Sequence, residues 1–298
     1  MIHPFAIQPE VIVDWAFNRR DTAQAVDTIG IGKPRFLLRL PKDLRKKCYE
    51  ALLERPEDDF ASQRLTALME KICENAINRP DQKSDKGKDW LSNAKDEYEH
   101  QTFRAIIANE VDGDHVVNSE TIFEEPNELW TLKSSQSILR QAPAIAAALK
   151  PLLREGLHCY LVDPYFSPEK GRYIKVIRAL AAEGPTDRGM EISIRCREDS
   201  TLNYFNEKAA EMAKDLPTTC TVSFKRLPSD SMHDRFFLTK VGGLFSSNGF
   251  EHYDRTKKTM HVSILSPDQY SEVWNEYAQS DNSRVVDTPK SVVGQKTL

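Results

Sequence analysis

The chain has 298 residues, with 41 Lys and Arg against 45 Asp and Glu, and 40% of its residues are hydrophobic. This length predicts two domains, and the formal charge of -4 excludes a protein that coats nucleic acid through a uniformly basic surface. No apolar run approaches the ~20 residues that span a bilayer, the N-terminus lacks a secretory-signal pattern, and the five scattered Cys form no CxxC pair. We therefore expect a soluble cytoplasmic protein without an integral membrane segment, a metal site or a cofactor.

The first 128 residues predict an α-rich N-terminal domain. Apolar residues recur at helical spacing in residues 42–54 and 60–77, and residues 103–107 predict one short strand. Residues 110–128 then carry seven acidic side chains and no Lys or Arg. This acidic stretch predicts a connection between domains, so we place the first domain at residues 1–128.

One strongly basic segment lies in this first domain, between residues 33 and 47. Seven cations stand there against Asp43 alone: Lys33, Arg35, Arg39, Lys42, Arg45, Lys46 and Lys47. Their interleaving with Phe and Leu residues is typical of a contact with a phosphate backbone. The pattern also suits a solvated cationic helix face that pairs with the protein's own acidic stretch.

The second half of the chain alternates between strand and helix patterns. After a predicted helix at residues 134–155, the predicted strands are 158–162, 190–196, 220–227, 235–239, 243–246 and 261–265. The first three are separated by helices, which predicts a largely parallel sheet, and the fourth and fifth are predicted to form a hairpin. A helix at residues 267–277 closes this α/β domain, residues 129–279, and a flexible polar tail follows at residues 280–298.

Polar side chains that suit catalysis gather around the predicted hairpin. His233 and Arg235 stand at the start of its first strand, and Ser246, Ser247 and Asn248 stand at the end of its second strand. An imidazole, a guanidinium, hydroxyls and an amide at one sheet edge predict a pocket for a phosphate or an oxyanion. The alternative is a buried polar cluster that braces the hairpin.

Two loops after neighbouring strands belong to the same predicted site. Asp163 follows the strand at residues 158–162, and Arg197 follows the strand at residues 190–196. Ligands of open parallel sheets gather at the carboxyl ends of the strands. Arg197 would join Arg235 on a phosphate, whereas Asp163 suits two roles, orienting an imidazole at the phosphate or capping the turn that follows it.

Residues 130–277 resemble one half of a phospholipase D-like protein. The resemblance rests on the order of strands and helices and on His233-Asp234-Arg235, followed by Ser246-Ser247-Asn248 on the next strand. The family motif is His-x-Lys, and a variant branch carries His-Asp-Arg in its place. The resemblance implies that His233 is the nucleophile or acid/base catalyst, that Arg235 holds the phosphate, and that Ser247 and Asn248 orient the imidazole.

The chain departs from the family pattern at several positions. Arg235 replaces the Lys, Lys240 stands where the family has Asp, and a single His motif replaces the two that hydrolysis requires. Activity would therefore need a homodimer that pools two copies of His233. The resemblance implies a metal-independent phosphodiesterase or nuclease that binds or cleaves DNA or RNA, in phage defence or a mobile element. The alternatives are a catalytically inactive adaptor for a partner protein and a binder of anionic lipid headgroups.

Overall fold

The computed structural model describes residues 1–73, 75–79, 81–82, 85–156, 158–184, 189–254, 258–279 and 285–296. The chain is an α/β protein that divides into two compact units, Met1–Ser134 and Ser135–Leu298. Within the described ranges, no helix combines the length and apolar character that crossing a bilayer requires.

A four-stranded parallel sheet forms the centre of the first unit. Its strands are β1 (His3–Ile7), β2 (Arg35–Leu37), β3 (Ala105–Ala108) and β4 (Val116–Asn118), in the spatial order β2-β1-β3-β4. The helices are α1 (Pro9–Phe17), α2 (Arg19–Thr28), α3 (Leu44–Leu53), α4 (Asp59–Leu68) and α5 (Trp90–His100). A π-helical turn, Met69–Cys73, follows α4.

The first unit thus contains a sheet as well as the predicted helices. The predicted strand at residues 103–107 corresponds to β3, but the other strands of this sheet were not predicted. Strand β4 lies inside the acidic stretch that was expected to connect two domains, and its Val116 and Val117 are buried. The expectation of a connection at residues 110–128 is therefore wrong, because part of this stretch pairs with β3.

The boundary between the units falls after Ser134 and not after residue 128. The reason is Trp130, which belongs to the hydrophobic core of the first unit. Its ring centroid lies 5.4 Å from that of Phe5, and the guanidinium carbon of Arg35 lies 4.0 Å from the Trp130 ring centroid.

An eight-stranded mixed sheet forms the second unit. Its strands are β5 (Ser135–Leu139), β6 (His158–Val162), β7 (Met190–Arg197), β8 (Cys220–Leu227), β9 (Arg235–Thr239), β10 (Gly242–Ser246), β11 (Thr259–Ile264) and β12 (Val292–Val293). The helices are α6 (Ala142–Gly156), α7 (Gly171–Glu183), α8 (Leu202–Ala213) and α9 (Pro267–Trp274), followed by a π-helical turn, Asn275–Gln279. The spatial order of the strands is β12-β8-β7-β6-β9-β10-β11-β5.

The predicted alternation of strands and helices is confirmed in this unit. Strands β6, β7 and β8 are parallel, and β9 and β10 form the predicted antiparallel hairpin, with Arg235 opposite Ser246. Gly242 turns the hairpin at a φ of 149°, a conformation that favours glycine.

Two predictions at the ends of this unit are wrong. The helix predicted at residues 134–155 begins only at Ala142. Residues 135–139 form the edge strand β5 instead, which pairs with β11. The tail beyond residue 279 was expected to be flexible, yet its described part, residues 285–296, packs on the sheet. Strand β12 pairs with β8, and the Nε of the buried Arg226 donates to Asp287 Oδ1 at 2.6 Å.

The antiparallel insertion of β9 beside β6 positions the candidate site. Because β9 runs opposite to β6, the start of β9 lies at the same sheet edge as the ends of β6 and β7. The end of β10 lies there too, since β10 runs opposite to β9. We call this edge, formed by the ends of β6, β7 and β10 and the start of β9, the carboxyl edge.

Candidate functional site

The carboxyl edge brings Arg197 and Arg235 together on one aromatic ring. Their guanidinium carbons lie 4.9 Å and 5.1 Å from the ring centroid of Tyr165. Tyr165 stands in the loop after β6 and is 46% exposed. Sequence reasoning placed both arginines at this edge but assigned no role to Tyr165, whose position after a parallel strand was the available signal.

Main-chain carbonyls hold both guanidinium groups. Arg197 donates from Nε to the Met232 carbonyl at 3.2 Å and from Nη2 to the same oxygen, and Arg235 Nη1 donates to the His233 carbonyl at 3.3 Å. Met232 is fully buried, which anchors the loop between β8 and β9 that presents these two carbonyls. The arginines are therefore positioned before any ligand arrives.

Neither arginine is neutralised by a direct ion pair with a carboxylate of the described residues. The contrast with other arginines of the second unit is clear: Arg140 and Arg172 pair with Glu251, Arg178 with Asp215 and Arg226 with Asp287. The Nε of Arg235 is buried without a hydrogen-bond acceptor. Arg235 acts on the buried Asp163 carboxyl only through its charge and not through an ion-pair contact, so both guanidinium groups can still attract an anion.

His233 is exposed beside these arginines and lines a cleft of about 530 Å³. Asp234, Glu272 and Glu276 line the same cleft, so a phosphate within it would meet negative charge. Across the described ranges, no hydrogen bond or ion pair fixes the His233 ring. The imidazole is accessible, but nothing around it selects an orientation.

Ser247 and Asn248 do not orient His233 in the part of the chain that the structure describes. The Ser247 hydroxyl donates to Asn248 Oδ1 at 3.2 Å and accepts the main-chain N–H of His261 at 3.0 Å. The Ser246 hydroxyl donates to the Asn248 carbonyl at 2.7 Å. These bonds brace the end of β10 against β11, whereas His233 and Asp234 are exposed and do not form the buried cluster that was the alternative for the hairpin.

Asp163 holds the carboxyl edge together from inside. Its side chain is fully buried, and its two oxygens accept the main-chain N–H groups of Tyr165 at 3.0 Å and Phe250 at 2.9 Å. Burial raises the pKa of this carboxyl, while the two N–H bonds and the charge of Arg235 oppose the shift. Of the two roles expected for Asp163, the structure shows the capping of the turn that follows it. Both carboxylate oxygens are used for main-chain N–H groups and not for an imidazole or a phosphate.

The basic segment of the first unit divides into separate environments. Arg35 is buried on β2, where its Nη2 donates to the Trp130 carbonyl, and burial lowers its pKa to about 10. The prediction that Arg35 contacts phosphate is therefore wrong. Lys47 pairs with Glu50 at 2.8 Å, and Lys33 is half-buried in the loop before β2. The remaining four cations line one cleft: Arg39, Lys42, Arg45 and Lys46.

Residues suited to a metal do not cluster in the described parts of the chain. Nowhere in those ranges do three or more His, Cys, Asp or Glu side chains converge as metal ligands. The carboxyl edge itself offers two guanidinium groups, a half-exposed tyrosine and an accessible imidazole.

Comparisons with known proteins add little to this geometry. No protein-family model matches the sequence, and no curated protein matches it. Among solved structures, the chain is similar to TrmBL2, an archaeal chromatin protein with a novel mode of DNA binding. The identity is 12%, the match covers 75% of this chain and 71% of that chain, and the TM-score is 0.26. Similarity this low supports no conclusion about the fold or the function.

Proposed function

We propose that the carboxyl edge of the second unit binds the phosphodiester backbone of a single-stranded nucleic acid. Arg197 and Arg235 are the phosphate ligands, and Tyr165 positions them. One observation carries the proposal: carbonyl oxygens and an aromatic ring hold these two guanidinium groups, and carboxylates do not. Guanidinium donors match phosphate oxygens in geometry and charge, so this arrangement suits a phosphate.

The donors that remain on the two arginines define how a phosphate would bind. Arg197 uses Nε and Nη2 on one carbonyl, which leaves Nη1 without a protein acceptor among the described residues. Arg235 donates from Nη1 to the His233 carbonyl, and its Nη2 has no acceptor among the described residues. One N–H-bearing nitrogen from each arginine is thus available to phosphate oxygens, and no existing ion pair has to break.

The half-exposed tyrosine favours a nucleic acid over a simple anion. Proteins that bind single strands combine cations along the backbone with aromatic rings on which bases stack. Tyr165 contacts both candidate phosphate ligands and keeps nearly half of its surface exposed, so part of the residue remains accessible to a base. A single strand suits this ring better than a duplex, because the bases of a duplex are already stacked on one another.

The geometry supports binding better than cleavage. A catalytic histidine is normally oriented by a second hydrogen-bonded group, and the described residues provide none for His233. The carboxylates of Asp234 and Glu272 in its cleft also oppose the approach of a phosphodiester. The phospholipase D-like relationship, the homodimer that pools two copies of His233 and the defence or mobile-element setting belong to this cleavage alternative.

Fluorescence anisotropy with short labelled single strands of DNA and RNA tests the proposal. Arg197→Ala and Arg235→Ala should each weaken binding by about tenfold, because each removes charged hydrogen bonds. The matched control is Arg154→Ala, an exposed arginine in the last turn of α6, before β6 begins at the opposite edge. Equal losses in the control and the site variants, or no binding by the wild type, would refute the proposal.

His233→Ala separates binding from catalysis in the same assay. We expect this variant to retain oligonucleotide binding, since His233 is not a phosphate ligand in the proposal. Cleavage that resists EDTA and disappears in His233→Ala would instead establish a phosphodiesterase. Binding to anionic vesicles that depends on Arg235, without binding to oligonucleotides, would favour the lipid headgroup alternative.

A further inference from the structure

A cationic cleft in the first unit shares no residue with the carboxyl edge. The cleft occupies about 500 Å³ between the loop that leaves β2 and the start of α3. Its position follows the rule for parallel sheets, because residues 38–43 leave the carboxyl end of β2. Its volume falls in the range of small-molecule sites, about 300–1,000 Å³.

The rim of this cleft is strongly cationic. Among the described residues, four that line the cleft are cations, Arg39, Lys42, Arg45 and Lys46, and one, Asp43, is acidic. Lys42 and Arg45 are exposed, and in the described ranges neither lies within ion-pair distance of a carboxylate. Lys46 lies 3.5 Å from Glu50, which also pairs with Lys47, so the rim keeps a net positive charge.

The start of α3 adds to the attraction for anions. The first turn of α3 contains no acidic residue, and its N-cap residue Asp43 makes no side-chain capping bond. The Leu44 N–H already donates to the Pro41 carbonyl, so the N–H groups of Arg45 and Lys46, together with the helix dipole, favour negative charge at this end. The helix end and the cationic rim therefore act on the same region of space.

The floor of the cleft is apolar and uncharged. Leu44, Met69 and Cys73 are buried there, and Tyr49 packs partly buried against the core. Burial raises the pKa of the Cys73 thiol to about 12, although the charges of Arg39 and Arg45 oppose the shift. The floor is thus closed by uncharged side chains, and the partly exposed Tyr49 supplies an aromatic ring that suits a planar base.

We propose that this cleft binds a nucleoside phosphate, with the phosphates on Lys42, Arg45 and the start of α3 and the base against Tyr49. The compact arrangement of the cations favours this ligand over a nucleic acid strand. Within residues 33–47, Arg35 is buried, Lys47 pairs with Glu50, and neither lines the cleft, so this segment does not present its cations as a continuous stripe. A strand would require such a stripe to contact successive phosphates.

Isothermal titration calorimetry of the full chain with ATP, ADP, adenosine and pyrophosphate tests the proposal. We expect ATP and ADP to bind, with pyrophosphate weaker and adenosine weaker still. Lys42→Ala and Arg45→Ala should each weaken ADP binding by about tenfold. The matched control, Lys47→Ala, removes a neighbouring cation outside the cleft and should leave the affinity unchanged.

Three results would overturn the inference: no binding of either nucleotide, an equal effect of Lys47→Ala, or pyrophosphate binding as tightly as ADP. A short oligonucleotide whose binding depends on Lys42 and Arg45, in the absence of nucleotide binding, would also overturn it. Thermal melting confirms that each exposed-site variant is folded. ADP affinity should survive in the Arg197→Ala/Arg235→Ala double variant, so failure of this site and failure of the carboxyl edge are distinguishable.

Discussion

Replacing Asp163 with Asn tests how the carboxyl edge is held together. The buried carboxylate accepts one main-chain N–H on each oxygen, from Tyr165 and Phe250. An Asn side chain keeps one oxygen that accepts one of these main-chain N–H groups, and it turns its NH₂ group toward the other. One buried main-chain N–H therefore loses its acceptor, at a cost of about 1–3 kcal/mol. Asn is uncharged and avoids the desolvation that raises the pKa of Asp163, which offsets part of this cost. We expect Asp163→Asn to lower the free energy of unfolding by about 1–2 kcal/mol.

Urea unfolding followed by circular dichroism measures this change. Asp215→Asn is the control, because Asp215 forms only a surface pair with Arg178 and should cost less than about 0.5 kcal/mol. A raised folded-state pKa means that ionisation of Asp163 costs stability as pH rises. The advantage of the wild type over Asp163→Asn should therefore be greatest in acid and shrink toward neutral pH. A variant as stable as the wild type at every pH would refute the capping role.

Further predictions concern stability and pH. Arg35→Lys should lower the free energy of unfolding by about 2–4 kcal/mol, because a Lys ammonium cannot replace the buried guanidinium that packs on the Trp130 ring. An unchanged midpoint of urea unfolding would contradict this prediction. Arg226→Ala should cost about 3 kcal/mol and open residues 285–296 to proteases, because it breaks the pair with Asp287; an unchanged digestion pattern would count against it. Burial lowers the pKa of His158, so the folded state resists its protonation, and the wild type should lose more stability than His158→Gln between about pH 7 and pH 5. Parallel losses in both proteins would show that His158 does not contribute.

Much of the second unit was predictable because its strands are long or bounded by clear turns. Strand β7 alternates over Met190–Arg197, and the β9–β10 hairpin is marked by its glycines. The edge strand β5 was not predictable, since Ser135–Leu139 lacks a buried face and directly precedes a strong helix pattern. Strand β1 was missed because it is short and buried almost throughout, so it shows no alternation.

The candidate site was predictable only in outline. The parallel alternation places Arg197 at the carboxyl ends of the strands, whereas Arg235 reaches the same edge because β9 runs antiparallel beside β6. The burial of Asp163 and Arg35 does not follow from the sequence, because it depends on partners far along the chain, Phe250 and Trp130. The charge of a residue therefore does not predict whether its side chain is exposed when its neighbours in space are unknown.

The salt dependence of single-strand binding tests the central claim most directly. Each phosphate contact made by an arginine contributes about 0.7 to the slope of log K against log salt concentration for a single strand. We predict that this slope decreases by about 1.4 in the Arg197→Ala/Arg235→Ala double variant, and that it is unchanged in the Arg154→Ala control. A double variant with the wild-type slope would contradict the account, because the two arginines would then not contact phosphate.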